Sequence, residues 1–208
     1  LSFFIIQDQP LKPHNLMQRI SFKDSLKTTF YYLKKIISIK QVWISGLYAG
    51  LVFGIFPAFA GLWAVPYLMK RFQLTVDVAA LFASTLFLGA CFGNIMLGSL
   101  SLYITKKKPL MIVGSATSLL LLLFAFYGPT LSLPGLFVLY LLIGLFSSTY
   151  SFSFSLIGAY IPSEAKGLSM GLANMFCLTL GAPLFQPLIG KLLTWHKDTS
   201  GYQIISYS

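Results

Sequence analysis

The chain has 208 residues, of which 56% are hydrophobic and only 10% charged, with five acidic side chains against fifteen Lys and Arg. That balance excludes an ordinary water-soluble domain. The net charge of +10 does not indicate nucleic acid, because the basic residues sit in the gaps between apolar runs and not among exposed aromatics on a polar face.

A bilayer core of about 30 Å is crossed by about 20 apolar residues at 1.5 Å per residue, and the chain offers five such runs. Leu1 to Ile6 reads as the tail of an earlier transmembrane helix, so the chain is read as a fragment. Residues 7–41 form a basic linker, broken at its start by Pro10 and Pro13. From Ser21 the linker places Phe22, Leu26, Phe30 and Leu33 on one side, which fits an interfacial helix or a solvated loop equally well. Residues 42–208 then form an all-α, polytopic transmembrane helix bundle.

The first span, about 42–69, carries Pro57 and Pro66 and is predicted to tilt and kink. Gly46, Gly50, Gly54 and Gly61 share one face of a regular helix there, allowing a neighbouring backbone to approach. The second span, about 78–103, has Gly89, Gly93 and Gly98 on a further small-residue face, with Asn94 near mid-membrane. The third, about 110–127, is almost wholly apolar and is expected to face lipid. The fourth, about 135–160, contains the polar run Ser147-Ser148-Thr149-Tyr150-Ser151, unusual for a helix that meets only lipid. The fifth, about 167–193, includes Asn174, Gly181, Pro183, Gln186 and Pro187, which argues against a lipid-facing role. Cys91 and Cys177 lie inside apolar stretches and read as small hydrophobes.

Five spans sort the basic residues into two groups. Eleven fall with the linker, Lys106 to Lys108 and Lys166, and four fall with Lys70, Arg71, Lys191 and Lys197. The positive-inside rule then makes the linker cytoplasmic. Trp43 and Trp195 stand at span ends as interfacial anchors.

This layout resembles helices seven to eleven of a twelve-helix, bacterial-type major facilitator superfamily transporter. Gly98-Ser99-Leu100-Ser101-Leu102-Tyr103-Ile104-Thr105-Lys106-Lys107-Lys108 is similar to the family's signature turn, with Leu102 where the family has Asp and Tyr103 where it has a basic residue. Gly171-Leu172-Ala173-Asn174-Met175, followed by Gly181-Ala182-Pro183-Leu184-Phe185-Gln186-Pro187-Leu188-Ile189-Gly190, resembles an eleventh helix. Gly61-Leu62-Trp63-Ala64-Val65-Pro66-Tyr67-Leu68 resembles the outer end of a seventh helix in members that take up small organic anions, nutrients or peptides. The resemblance implies secondary active transport of a small polar solute by alternating access in a bacterial inner membrane. It also implies an amino-terminal half as partner, leaves the coupling ion open with a proton as one candidate, and calls for no cofactor.

Solute sites in such proteins lie near the bilayer midplane between two halves. Tyr140, Gly144, Ser147, Ser151, Phe154 and Gly158 recur at helical spacing on the fourth span, and Tyr150 borders the stripe. Tyr140, Ser147, Tyr150 and Ser151 are candidate solute contacts, the alternative being helix packing. Asn94 and Asn174 are costly in a bilayer unless satisfied, and so mark either an interhelical bond or the cavity. Gln186 lies twelve residues beyond Asn174, and both face one cavity only if Pro183 distorts the helix. Trp63 is an interfacial anchor or an outer gate. The spans contain no buried ionisable side chain, and Asp77 at a span end reads as a helix cap, so a proton-coupling carboxylate is expected in the other half.

An intramembrane enzyme would need clustered acid, base or metal-ligand groups, whereas His14 and His196 are expected on opposite sides of the membrane. A channel would need charged rings or a carbonyl filter, and neither pattern is visible. A non-transporting scaffold or decayed fragment is the alternative to transport.

Overall fold

The computed structural model describes residues 22–100, 103–104, 106–162 and 165–191, with side chains from residue 26 onward. The preceding-helix tail at residues 1–6, His14, Leu102 of the signature-like turn, and Trp195, His196 and Lys197 lie outside the described residues.

The linker's end is helical. Helix α1 covers Phe22–Ile37, so the loop alternative does not hold. Leu26 and Phe30 of its apolar stripe are exposed, while Ile36 is buried against the bundle. Exposed apolar side chains such as Leu26 and Phe30 suit a helix lying along a lipid interface. Trp43 ties the junction, its Nε1 donating to the Ile37 carbonyl at 2.7 Å.

Among the described residues, five helices are long and apolar enough to cross a membrane: α2 (Lys40–Phe72), α3 (Val76–Leu100), α4 (Lys107–Tyr127), α5 (Leu133–Ala159) and α6 (Lys166–Lys191). Their ends follow local chemistry. Gln73 closes α2 in the left-handed region at φ 54°, and its side-chain amide donates to the Lys70 carbonyl. Such a bond satisfies one of the carbonyls that a helix end leaves without a partner. Pro129 follows Gly128 at the end of α4, and Pro134 sits in the first turn of α5, where a missing N–H costs nothing.

Lipid supplies no hydrophobic driving force between helices, so close backbone approach at small residues does the packing. The α3–α5 pair shows this most directly. A methyl on Gly89 would strike the Leu141 carbonyl and the Leu145 nitrogen, and one on Gly144 would strike the Leu86 carbonyl and the Ala90 nitrogen. The α2–α6 pair is similar: Gly46 meets Phe176, Gly50 meets Leu180 and the Phe176 carbonyl, and Gly54 meets Phe185.

Two glycines leave the faces read from spacing. Gly61 is exposed, because residues 55–63 of α2 form a π-helical stretch whose extra residue per turn carries it off the Gly46–Gly54 line. A methyl on Gly98 would meet open space, since α3 has passed its crossing with α5 by that point. Helix α4 turns Ile112, Val113, Leu119 and Leu120 outward, as a lipid-facing helix should.

Two apolar clusters hold the ends of the bundle. Phe59, Ala64, Leu68, Phe82, Leu86, Leu136, Tyr140 and Ile143 join α2, α3 and α5. Ile36, Val42, Ile157, Ile161, Ala165 and Ala173 join α1, α2, α5 and α6.

Candidate functional site

Three of the five spanning helices are irregular, and their irregular stretches meet. In α2, Pro57 cannot donate to the carbonyl one turn earlier and its ring would crowd that carbonyl. The backbone answers with the π-helical stretch Ile55–Trp63. In α6 the stretch Leu180–Phe185, containing Pro183, is π-helical for the same reason. Gly181 lies directly against the Pro57 ring, and Gln186 Nε2 donates to the Pro57 carbonyl at 2.7 Å.

In α5, residues Ser148–Ser151 tighten into a 3-10 turn. Their hydroxyls bond back to the preceding turn: Ser148 to the Leu145 carbonyl, Thr149 to Phe146 and Ser151 to Ser148. Side-chain bonds of this kind compete with the helical ladder. Irregular backbone at membrane depth is tolerated only where it is buried in protein or lines a cavity.

Such a cavity lies here. Phe53, Phe56 and Pro57 of α2, Phe87 and Ala90 of α3, and Tyr150 of α5 line an open recess of about 220 Å³. The rings brace one another edge to face or tilted, with Phe53 to Tyr150 at 5.1 Å and Phe56 to Phe87 at 5.9 Å between centroids. Asn94 stands one helical turn beyond Ala90. Its Nδ2 donates to the Ala90 carbonyl at 2.9 Å, and its Oδ1 accepts from Ser151 Oγ at 2.7 Å. The Ser151 proton is shared in turn with the Ser148 carbonyl at 2.6 Å. Asn94 is exposed, so this pair presents an amide and a hydroxyl on the open face beside the ring-lined pocket.

The structure thus brings together Asn94, Tyr150 and Ser151, and joins Gln186 to them through Pro57. Ser147 and Tyr140 point into the interior. Ser147 is fully buried and shares a 2.6 Å hydrogen bond with Ser118 of α4. Tyr140 is also fully buried, in the α2–α3–α5 cluster, and its hydroxyl has no partner among the described residues. The spacing that put Ser147 and Ser151 on one stripe assumed 100° per residue. The 3-10 turn at about 120° per residue widens the angle between them from about 40° to about 120°.

Asn174 is exposed on α6, one turn beyond Met170, whose methyl reaches Gly158 of α5. Trp63 packs beside Gly190 in a different concavity.

The sequence model of the Major Facilitator Superfamily matches residues 2–196. The chain belongs to that superfamily. Its members are membrane transporters of small solutes and not enzymes. No curated protein and no solved structure matches the chain.

Two concavities stand out among the described residues. The larger, about 1360 Å³, runs along α2 between α4 and α6, from Tyr48 to Arg71. It is walled mainly by aliphatic and aromatic side chains, with Lys70 and Arg71 at one end. Three of its polar side chains tie helices together, while the buried Trp63 Nε1 and Arg71 Nε have no partner among the described residues. Tyr48 donates to the Met111 carbonyl, Tyr67 to the Ala125 carbonyl at 2.7 Å, and Arg71 to the Gly128 carbonyl. The smaller pocket has the irregular helices around it and the open Asn94–Ser151 pair. Phe53, Phe56 and Phe87 carry no signal in the sequence, since a phenylalanine in an apolar run is as ordinary facing lipid as facing a cavity. Pro57 was the available signal, because a proline inside a spanning helix marks where that helix breaks.

Proposed function

We propose that the chain supplies one wall of the solute cavity of a secondary active transporter that moves a small polar solute by alternating access. One observation carries this reading: Asn94 and Ser151 form an open amide–hydroxyl pair where the irregular turns of α2 and α5 meet α3. An intramembrane amide left on an open face, beside backbone that has given up regular helix, suits a solute path better than a lipid boundary.

A second helical bundle, from another part of the transporter, covers this face and rocks against it. The close α3–α5 and α2–α6 contacts support movement of this bundle as a rigid body. Asp77, in the first turn of α3, is the sole acidic side chain described within the spans, so any coupling carboxylate at the cavity comes from the second bundle. The end bearing α1, Lys106 to Lys108 and Lys166 is cytoplasmic, and the membrane is the inner membrane of a bacterium.

The test is uptake by the full-length protein in proteoliposomes supplied with a metabolite mixture and scored by mass spectrometry. Asn94→Ala and Ser151→Ala should each lower uptake of the transported solute about ten-fold, the loss of one or two hydrogen bonds. Unchanged uptake in both would remove the pair from the path. Absence of any uptake would favour a scaffold over a transporter.

A further inference from the structure

The pocket's lining says which part of a solute it can hold. Phe53, Phe56, Phe87 and Tyr150 give it ring faces and edges, Pro57 and Ala90 give it aliphatic surface, and no charged side chain lines it. A closed apolar cavity of about 150 Å³ is enough to take benzene, so an open recess of about 220 Å³ has room for one aromatic ring laid against its rings. A substituent on that ring has a place to go. Asn94 is anchored to Ala90, which itself lines the pocket, and its amide also bonds to the Tyr150 hydroxyl, so Asn94, Tyr150 and Ser151 form one polar edge beside the rings that a solute group can join by exchanging one of these bonds. The Ser151 hydroxyl, whose proton is shared between two acceptors, retains lone pairs that can accept from a solute N–H.

We infer that the solute presents an uncharged aromatic ring to the Phe53–Phe56–Phe87–Tyr150 pocket and an adjoining donor–acceptor group, such as a carboxamide, to Asn94 and Ser151. The inference rests on the transport reading and narrows its solute class. It sets the pocket apart from the small organic anions that the resemblance of residues 61–68 would allow. An anion here would be desolvated among aromatic rings with no cation in the lining, which is unfavourable unless the charge is paired. The basic side chain bonded closest along α5 is Lys107, whose Nζ donates to Ser155 Oγ, one turn and about 6 Å along the axis beyond Ser151.

The experiment is equilibrium dialysis of the detergent-solubilised full-length protein with three radiolabelled probes of matched size: benzamide, cyclohexanecarboxamide and benzoate. Benzamide should bind about three- to ten-fold tighter than cyclohexanecarboxamide, the preference that ring–ring contacts confer. Benzoate should bind at least about ten-fold weaker than benzamide. Phe87→Ala should abolish the preference for the aromatic ring and Phe87→Tyr should restore it. Phe87 is half exposed, so its truncation removes little packing from the fold.

Benzoate binding as tightly as benzamide, with Lys107→Ala selectively weakening it, would overturn the inference in favour of an anion site. Equal binding of the two carboxamides, or no binding of any probe, would also overturn it. None of these outcomes touches the transport reading, which stands or falls on the Asn94→Ala and Ser151→Ala uptake measurements.

Discussion

Replacing Gly144 with alanine tests the packing of this bundle at its closest point. The added methyl would sit against the Leu86 carbonyl and the Ala90 nitrogen of α3, which are backbone atoms with no rotamer to yield. One methylene-sized intrusion into a packed interface costs about 1–3 kcal/mol. Glycine to alanine in a helix also returns up to about 1 kcal/mol of propensity. Gly98→Ala isolates that second effect, because a methyl added there, also on α3, would meet no neighbouring atom within 4 Å.

The difference between the two variants should therefore be about 1–3 kcal/mol, and each kcal/mol lowers the midpoint by about 2–4 °C in a chain of this size. The protein carries its own reporter. Cys177 is buried and Cys91 exposed, so a thiol-reactive dye in a Cys91→Ser background reads the unfolding of the α2–α5–α6 region. Gly144→Ala melting at or above Gly98→Ala would refute backbone contact between α3 and α5. Gly89→Ala should match Gly144→Ala, and the double variant should lose less than the sum, because one separation of the helices relieves both clashes.

Ser118→Ala and Ser147→Ala should each cost about 1–3 kcal/mol in the same assay, as each strands a buried hydroxyl, whereas the double variant should cost less than the two together. Additive losses would mean that the hydroxyls do not bond to each other. Gln186→Leu removes the donor to the Pro57 carbonyl and should lower both the melting point, by about 1 kcal/mol equivalent, and uptake. A Gln186→Leu protein with normal uptake would show that the α2 kink is held without it.

The candidate site was legible in part. Asn94 and Ser151 are polar groups in apolar runs, and polarity in a bilayer is informative wherever it occurs. Their pairing was not legible, because it depends on a 3-10 turn that four consecutive hydroxyl-bearing residues produce only when the surrounding helices leave them to bond back to α5. Ser147 shows the other side of the same fact. It carries the same chemistry as Ser151, yet it faces Ser118 in α4 and serves packing. Pro57 announced a kink, but its partnership with Gln186, 129 residues away, required α6 to break at Pro183 against Gly181.

Amino-acid order alone dictates the solvent, the secondary structure and the places where close approach is allowed. Burial of backbone polar groups in lipid leaves an apolar run of some twenty residues no option but helix, and glycine permits contact wherever it falls. Which permissions are used is a matter of tertiary packing. Gly144 and Gly89 became a crossing while Gly98 and Gly61 stayed open. The rotation introduced by the 3-10 turn carries Ser151 to the open face beside Asn94, away from Ser147 and Tyr140 in the interior. A helix's side-chain directions accumulate turn by turn, so one irregular turn redirects everything beyond it, and composition carries no record of that angle.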